Sequence, residues 1–426
     1  MMKTEYKKTK LGLIPEDWEY CLLDKVTERG SGHTPSKKKY DEYYNGGIKW
    51  VSLADSSKLD NGWIAETAVE ISEEGLNNSS AVLHPKGTVL LSRDAGVGKS
   101  AVMQTEMAVS QHFIVWKVLD EQLNNWFLYY WLQFDKKEFE RIAIGSTIKT
   151  IGLPFFKKYK IPLPPLPEQV RIADCLSQWD RGIALLERLI AQKEEQKKGL
   201  MQQLLTGRQR LPGFAGEKGY KKTKLGLIPE DWEVVVLEDT INVFRGGSPR
   251  PIKNYITKSA EGINWIKIGD TKADDKYITS SVEKIIEEGA ERSRRVYVGD
   301  FLLSNSMSFG RPYILQIDGC IHDGWLVLQN YKASFDKDFL YYSLTAAYIY
   351  KQYIQRAAGS SVLNLNKDLV KSIKLLKPSL PEQKAIAAVL NTADRELSLL
   401  GAKLGQYRLQ KRGLMQQLLM GRKRLV

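Results

Sequence analysis

Three pairs of short, basic segments rich in glycine and hydroxyl side chains hold most of the residues here that could do chemistry. The first is Gly30–Lys39, with His33, Ser36, Lys37 and Lys38, answered by Arg245–Pro251, with Arg245, Ser248 and Arg250. The second is Ser92–Lys99, with Arg93 and Lys99, answered by Ser304–Arg311, with Asn305 and Arg311. The third is Gly145–Lys149, with Ser146, Thr147 and Lys149; its answer opens at Gly359 with Ser360 and Ser361 and continues through Asn364 to Lys367. Backbone N–H groups, hydroxyls and cations in such loops bind phosphate oxygens, and Arg, Asn or Gln can read base edges. A single one reads as an ordinary surface loop. Recurrence in three pairs gives them weight, and the chemistry they offer is binding.

Bond-making chemistry finds little support. Ala95–Ser100 invites a phosphate-loop reading, but the required Gly five residues before Gly98 is Arg93. The corresponding Ser306–Arg311 has lost the Lys-Ser pair. There is no Asn/Asp-Pro-Pro-Tyr, the motif that holds a target amino group in many DNA aminomethyltransferases, and no HExxH, GxSxG or kinase set. Asp274/Asp275 and Glu287/Glu288 sit in charged runs and read as solvated. His112 and His322 read as possible equivalents with structural hydrogen-bonding roles. Three scattered cysteines (Cys21, Cys175, Cys320) and four histidines exclude a disulfide framework or a Cys/His zinc site. No catalytic residue, metal or cofactor is expected in this chain. Lys and Arg total 63 against 50 Asp and Glu, a net +13, which favours a polyanionic partner. No apolar run reaches bilayer length and Met1–Lys10 lacks a signal-peptide apolar region, so a cytoplasmic, membrane-free protein is expected.

The elements that must position these loops come in duplicate. YKKTKLGLIPEDWE at Tyr6–Glu19 returns unchanged at Tyr220–Glu233, a shift of 220 − 6 = 214 residues. The same shift carries Leu166–Gln169 (LPEQ) onto Leu380–Gln383, and KGLMQQLLTGRQRL at Lys198–Leu211 onto RGLMQQLLMGRKRL at Arg412–Leu425. Between these anchors the copies have drifted apart, so one kind of task is done twice with two specificities. Each half carries short β-branched runs broken by Gly, Asn and Ser, such as Ile48–Leu53 and Ile263–Ile268. Each also carries a helical candidate with Phe-Leu-Tyr-Tyr, Asn125–Arg141 and Asp338–Arg356. The expected fold is α+β: two mixed α/β globular domains in a tandem repeat with pseudo-two-fold symmetry, joined by long helices.

Those helices show an apolar seam stepping by four and three. In the first copy it is Ile172, Leu176, Trp179, Ile183, Leu186 and Ile190, then Leu200 and Leu204 after a polar gap. In the second it is Ile386, Leu390, Leu397, Leu400, Leu404, Leu414 and Leu418. Pro167 and Pro381 suit a first turn; Gly207 and Gly421 suit the stop. About 40 residues make a rod of roughly 60 Å. One stripe cannot bury itself, so the two helices are expected to pair as a coiled coil. Loop length permits either sense, and the antiparallel one, which places the globular domains at opposite ends, is preferred. The expected segments are 1–160 and 212–374 for the globular domains, with 161–211 and 375–426 for the helices.

With those residues set out, the chain resembles the specificity subunit of type I restriction–modification systems. The LGLIPEDWE leaders, Ile161–Gln169 (IPLPPLPEQ) with its counterpart ending Leu380–Gln383, and the GLMQQLL helix ends carry the resemblance, which spans the whole chain. Lys377-Pro378-Ser379-Leu380 departs from it as a degraded proline run. The resemblance implies a non-catalytic reader of double-stranded DNA, each globular domain recognising half of a bipartite target. It implies two modification subunits that bind S-adenosylmethionine and methylate adenine, docking on the helices and their seam. It implies two restriction subunits using ATP and Mg for translocation and cleavage. The rival readings are a stand-alone DNA methyltransferase or nuclease with unfamiliar motifs, and a coiled-coil adaptor without a nucleic-acid role.

Overall fold

The protein is described from a computed structural model covering residues 5–145, 148–214, 219–272, 275–305, 310–357 and 365–425. It divides into two compact units, Met1–Glu187 with Ala402–Val426, and Arg188–Gly401. The division cuts through both long helices, so the helices form no third body.

Each unit is built on a twisted sheet buried on both faces. In the first unit the strands lie in the order Thr27–Ser31, Phe113–Val118, Val89–Ser92, Ser100–Met103, Trp63–Ile64, with only the last pairing parallel. The second unit repeats order and sense with Asn242–Arg245, Trp325–Gln329, Phe301–Ser304, Pro312–Leu315 and Tyr277–Ile278. Side chains alternate between the faces as strand geometry requires. Phe113 and Val115 pack toward a second sheet, whereas Ile114 and Trp116 join the helices. In the other unit Val327 and Leu302 take the first direction, Leu326, Leu328, Phe301 and Leu303 the second. Continuous apolar runs such as Val89-Leu90-Leu91 follow from burial on both sides.

The expected helices on Phe-Leu-Tyr-Tyr form, but each is interrupted. Asn125–Phe134 is followed by Lys136–Ile142, and Lys337–Thr345 by Ala347–Ala357. The first break falls at Asp135, whose carboxylate accepts the Tyr159 hydroxyl; the second at Ala346, whose ψ of 147° is extended.

The long helices span Leu166–Leu204 and Leu380–Leu419. Each starts in the core of one unit and ends in that of the other: Ile172 and Leu176 share a core with Leu418 and Leu419, Ile386 and Leu390 with Leu204 and Leu205. Within each unit the helix segments run antiparallel. Trp179 meets Tyr407 edge-on, and Lys411 and Arg408 pair with Asp180 and Glu187 in the first unit. Lys193 and Lys197 pair with Glu396 and Asp394 in the second. None of the fifteen seam residues is exposed.

The repeated leader folds as a hairpin, Tyr6–Thr9 with Gly12–Pro15, and again Tyr220–Thr223 with Gly226–Pro229. A helix end seats on each. Gly421 has φ +63°, and a Cβ there would meet Pro15 Cδ at 2.4 Å; Gly207, φ +69°, meets Pro229 Cδ at 2.5 Å. Left-handed backbone and close approach both require glycine. Arg424 then grips Asp17 and Glu168, and Glu168 also accepts the Trp18 indole N–H at 3.0 Å. Arg210, Asp231, Glu382 and Trp232 repeat the clasp. The neighbouring glutamine completes it: Gln169 accepts the Asn124 amide and donates to Gln122 and Pro164 carbonyls, as Gln383 does with Asp336, Ser334 and Pro378. The Glu-Gln of each LPEQ and the Trp of each leader, kept in both copies, are buried joints of the frame.

Candidate nucleic-acid interface

In each unit the first and second loops are brought together at the turn entering the second strand of the sheet order. In the first unit that turn is Ser110–His112. Thr34 Oγ1 donates to Gln111 Oε1 at 2.5 Å and Ser31 Oγ to the Phe113 carbonyl at 3.1 Å. A Cβ on Gly32 would lie 1.6 Å from the Val109 carbonyl, so only glycine lets the first loop approach this closely. The second loop joins through the Arg93 amide, which donates to the His112 carbonyl at 3.0 Å, and through Asp94, 2.9 Å from His112 Nδ1. The third loop is stitched to the second: the Ile151 amide donates to the Arg93 carbonyl and the Thr150 hydroxyl to Asp94.

The second unit has the same plan around His322–Gly324. Asp323 is its hub. Ser248 Oγ donates to its carboxylate at 2.9 Å, Arg250 lies 3.5 Å away, and Arg245 Nε and Asn305 Nδ2 donate to its carbonyl. The Ser248 hydrogen bond, aided by Arg250, holds the Asp323 carboxyl below its usual range. Burial pushes His322 down, so it stays neutral near pH 7; its Nε2 faces the Ile268 amide and its Nδ1 the Gly324 amide. Phe113 pairs with Ser92 and Trp325 with Ser304, so His112 corresponds to Gly324 and His322 to Ser110. The two histidines are not equivalents. Residue type alone did not single out Gln111, which takes the first loop's Thr34, or Asp323, which joins the first and second loops.

The phosphate-loop look-alike is a hairpin loop between antiparallel strands. Gly98 N donates to the Ser92 carbonyl, as Gly310 N does to Ser304. A phosphate loop instead leads from a strand into a helix N-terminus. Lys99 donates to the carbonyl and hydroxyl of Ser56 at 2.9 and 3.1 Å, so its ammonium is already held.

The candidate side chains sort by exposure. His33, Ser36, Lys37, Lys38 and Lys149 are exposed in the first unit, and Arg245, Arg250 and Lys367 in the second. Arg93, Ser248 and Arg311 are half-buried, and Asn305 is buried. Lys99, Lys136 and Lys149 line a 450 Å³ cleft between the second and third loops. Ser146, Thr147, Ser360, Ser361 and Asn364 lie outside the described residues. Among the described residues no group of three or more His, Cys, Asp and Glu is placed to hold a metal ion, and no helix is long and apolar enough to cross a membrane.

Two mixed α/β units repeated in tandem, each presenting basic loops and tied to antiparallel helices, define a duplicated binding scaffold. The family described as "Type I restriction modification DNA specificity domain" matches residues 15–195 and again 229–405, and the chain belongs to it. It is 27% identical over 438 residues to the type I restriction enzyme MjaVIII specificity subunit of Methanocaldococcus jannaschii, covering 99% of this chain and 97% of that one. In fold it is similar to a chain from a type I R-M system solved for its complex assembly and conformational transition (TM-score 0.63, 18% identity, 96% of this chain and 99% of that). It is also similar to the HsdS subunit of Thermoanaerobacter tengcongensis (TM-score 0.53, 18% identity, 97% of this chain and 100% of that). The chain is thus a DNA-specificity subunit of a type I restriction–modification system, a recognition subunit and not the catalytic one.

Proposed function

We propose that each unit reads one half of a bipartite double-stranded DNA target through its basic loops, and that the helices set the spacer. The recognition domains are residues 1–160 and 212–374. The observation that carries this reading is the same meeting of first and second loops built twice, at Ser110–His112 in one unit and His322–Gly324 in the other, with different side chains presented. A conserved frame with divergent loops is what two unlike half-sites need. Exposed Lys37, Lys38, Lys149, Arg250 and Lys367 contact phosphates and position the duplex; polar side chains beside them meet base edges.

Two modification subunits carrying S-adenosylmethionine complete the methyltransferase, and two restriction subunits using ATP and Mg complete the nuclease, in the cytoplasm where the chromosome lies. The helix seams dock them indirectly, by keeping the helices paired. Mapping methylated adenines in DNA exposed to the assembled enzyme tests the reading. Two short fixed blocks separated by a constant unspecified spacer are expected; one continuous site would refute it.

A further inference from the structure

Identity between the two leaders exceeds what their fold asks for. Most of the repeated residues have internal work in both copies. Tyr6 and Tyr220 donate to the carbonyls of Gly421 and Gly207, and Lys7 and Lys221 to those of Glu16 and Glu230. Thr9 and Thr223 close the turns onto Gly12 and Gly226. Ile14, Pro15 and Trp18 are buried, like Ile228, Pro229 and Trp232.

Lys8, Lys10 and Leu13, with Lys222, Lys224 and Leu227, have no such role among the described residues. All six are exposed, Leu13 by 59% and Leu227 by 63%. Lys8 sits directly across the hairpin from Leu13, and Lys222 from Leu227, so each leucine shares a face with a lysine. One exposed leucine is ordinary. The same one kept twice is not, because drift resumes where the leader ends. The next strand reads EYCL in one copy and EVVV in the other and forms the same ladder in both.

Two identical surfaces on one chain fit two copies of one partner, a requirement that the clefts beside the helices fail. The cleft beside the first unit's helices is lined by Asp60, Asp174, Asp180 and Glu187 against Arg181. The corresponding 1490 Å³ cleft of the second unit has the opposite balance, six Lys and Arg side chains against Glu194 and Asp394. One subunit type cannot complement both.

We propose that each hairpin tip, Leu13 with Lys8 and Lys10, and Leu227 with Lys222 and Lys224, docks one modification subunit. This rests on the reading of the chain as a specificity subunit. The matching patch on the partner is an apolar socket rimmed by carboxylates.

The test uses the full chain and the modification subunit of its own system, with stoichiometry read by light scattering after size exclusion. The wild-type chain should carry two subunits, Leu13→Asp or Leu227→Asp one, and the double variant none. Affinity at each altered point should fall about ten- to hundredfold, the effect of withholding one buried leucine. Lys8→Glu with Lys222→Glu should weaken both points independently of the leucines. These side chains are exposed, so unfolding temperature and DNA binding by the isolated chain should stay unchanged. A double leucine variant that still binds two subunits at wild-type affinity overturns the hairpin proposal, leaves the specificity reading standing, and makes the identity a relic of duplication. A wild-type chain that binds none removes both.

Discussion

Replacing Arg424 with Met should unfasten the first unit while leaving the choice of DNA sequence alone. Arg424 donates to both carboxylate oxygens of Glu168, at 2.8 and 2.8 Å, and to both of Asp17, at 2.9 and 2.6 Å. The Glu168 side chain is 2% exposed and that of Arg424 13%. Without the guanidinium, Glu168 keeps, among the described residues, only the Trp18 indole and the Leu425 amide. Breaking one partner of a buried ion pair costs about 3–5 kcal/mol. At about 2–4 °C per kcal/mol for a unit of this size, the unfolding temperature should fall by roughly 6–20 °C. Hydrogen exchange should rise locally, in residues 6–19 and 413–425. Arg210→Met should do the same to residues 199–211 and 220–233. Adding Glu168→Gln to Arg424→Met removes the stranded charge, so the double variant should lose less than the sum of the singles. An Arg424→Met chain melting within about 2 °C of wild type, with unchanged exchange, would refute the clasp.

Four further outcomes follow from the same geometry. Asp17 is held below its unfolded value of 3.8, chiefly by the Arg424 hydrogen bond, so its stabilisation is complete above that pH and lost as pH falls through the folded value. The melting difference between wild type and Asp17→Asn should therefore close below pH 3.8. Arg250→Glu, or Lys37→Glu with Lys38→Glu, should weaken duplex binding and flatten the salt slope by about one for each phosphate no longer neutralised, measured by anisotropy across salt; an unchanged slope would take these cations out of the interface. Exchanging Val26–Ile151 for the segment of a relative should alter one half-site only in methylation maps, and a change in both would exclude independent readers. Inserting four residues between Gln192 and Lys198 adds about 6 Å and a rotation of roughly 40° beyond a full turn, so the mapped spacer should lengthen by about one or two base pairs; full activity on the original spacer would exclude a helical ruler.

Much of this protein was legible because its signals are local or repeated. The shift of 214 residues, the seams of the long helices, their proline starts and glycine stops, and the three basic loop pairs all stand in the chain itself. The repeat, the seams and the helix limits survive in the fold because periodicity and turn chemistry act over a few residues. Tertiary structure decided what the repeated motifs are for. Arg424 meets Asp17 across nearly the whole chain, and nothing near either residue announces the other. Gly421 is required by Pro15 as much as by its own turn. Among the loops, residue type named Lys99 and Asn305, whose polar groups are spent on Ser56 and on Asp323 and Gly324, and missed Gln111 and Asp323. Type states what a side chain can bind; only packing settles whether that capacity is already used within the chain. The seam residues show the same division. Their spacing marked one helical face, but whether Ile172 or Leu204 lies against a partner helix or inside a sheet-backed core depends on contacts between distant segments, and those contacts exist only in the folded chain.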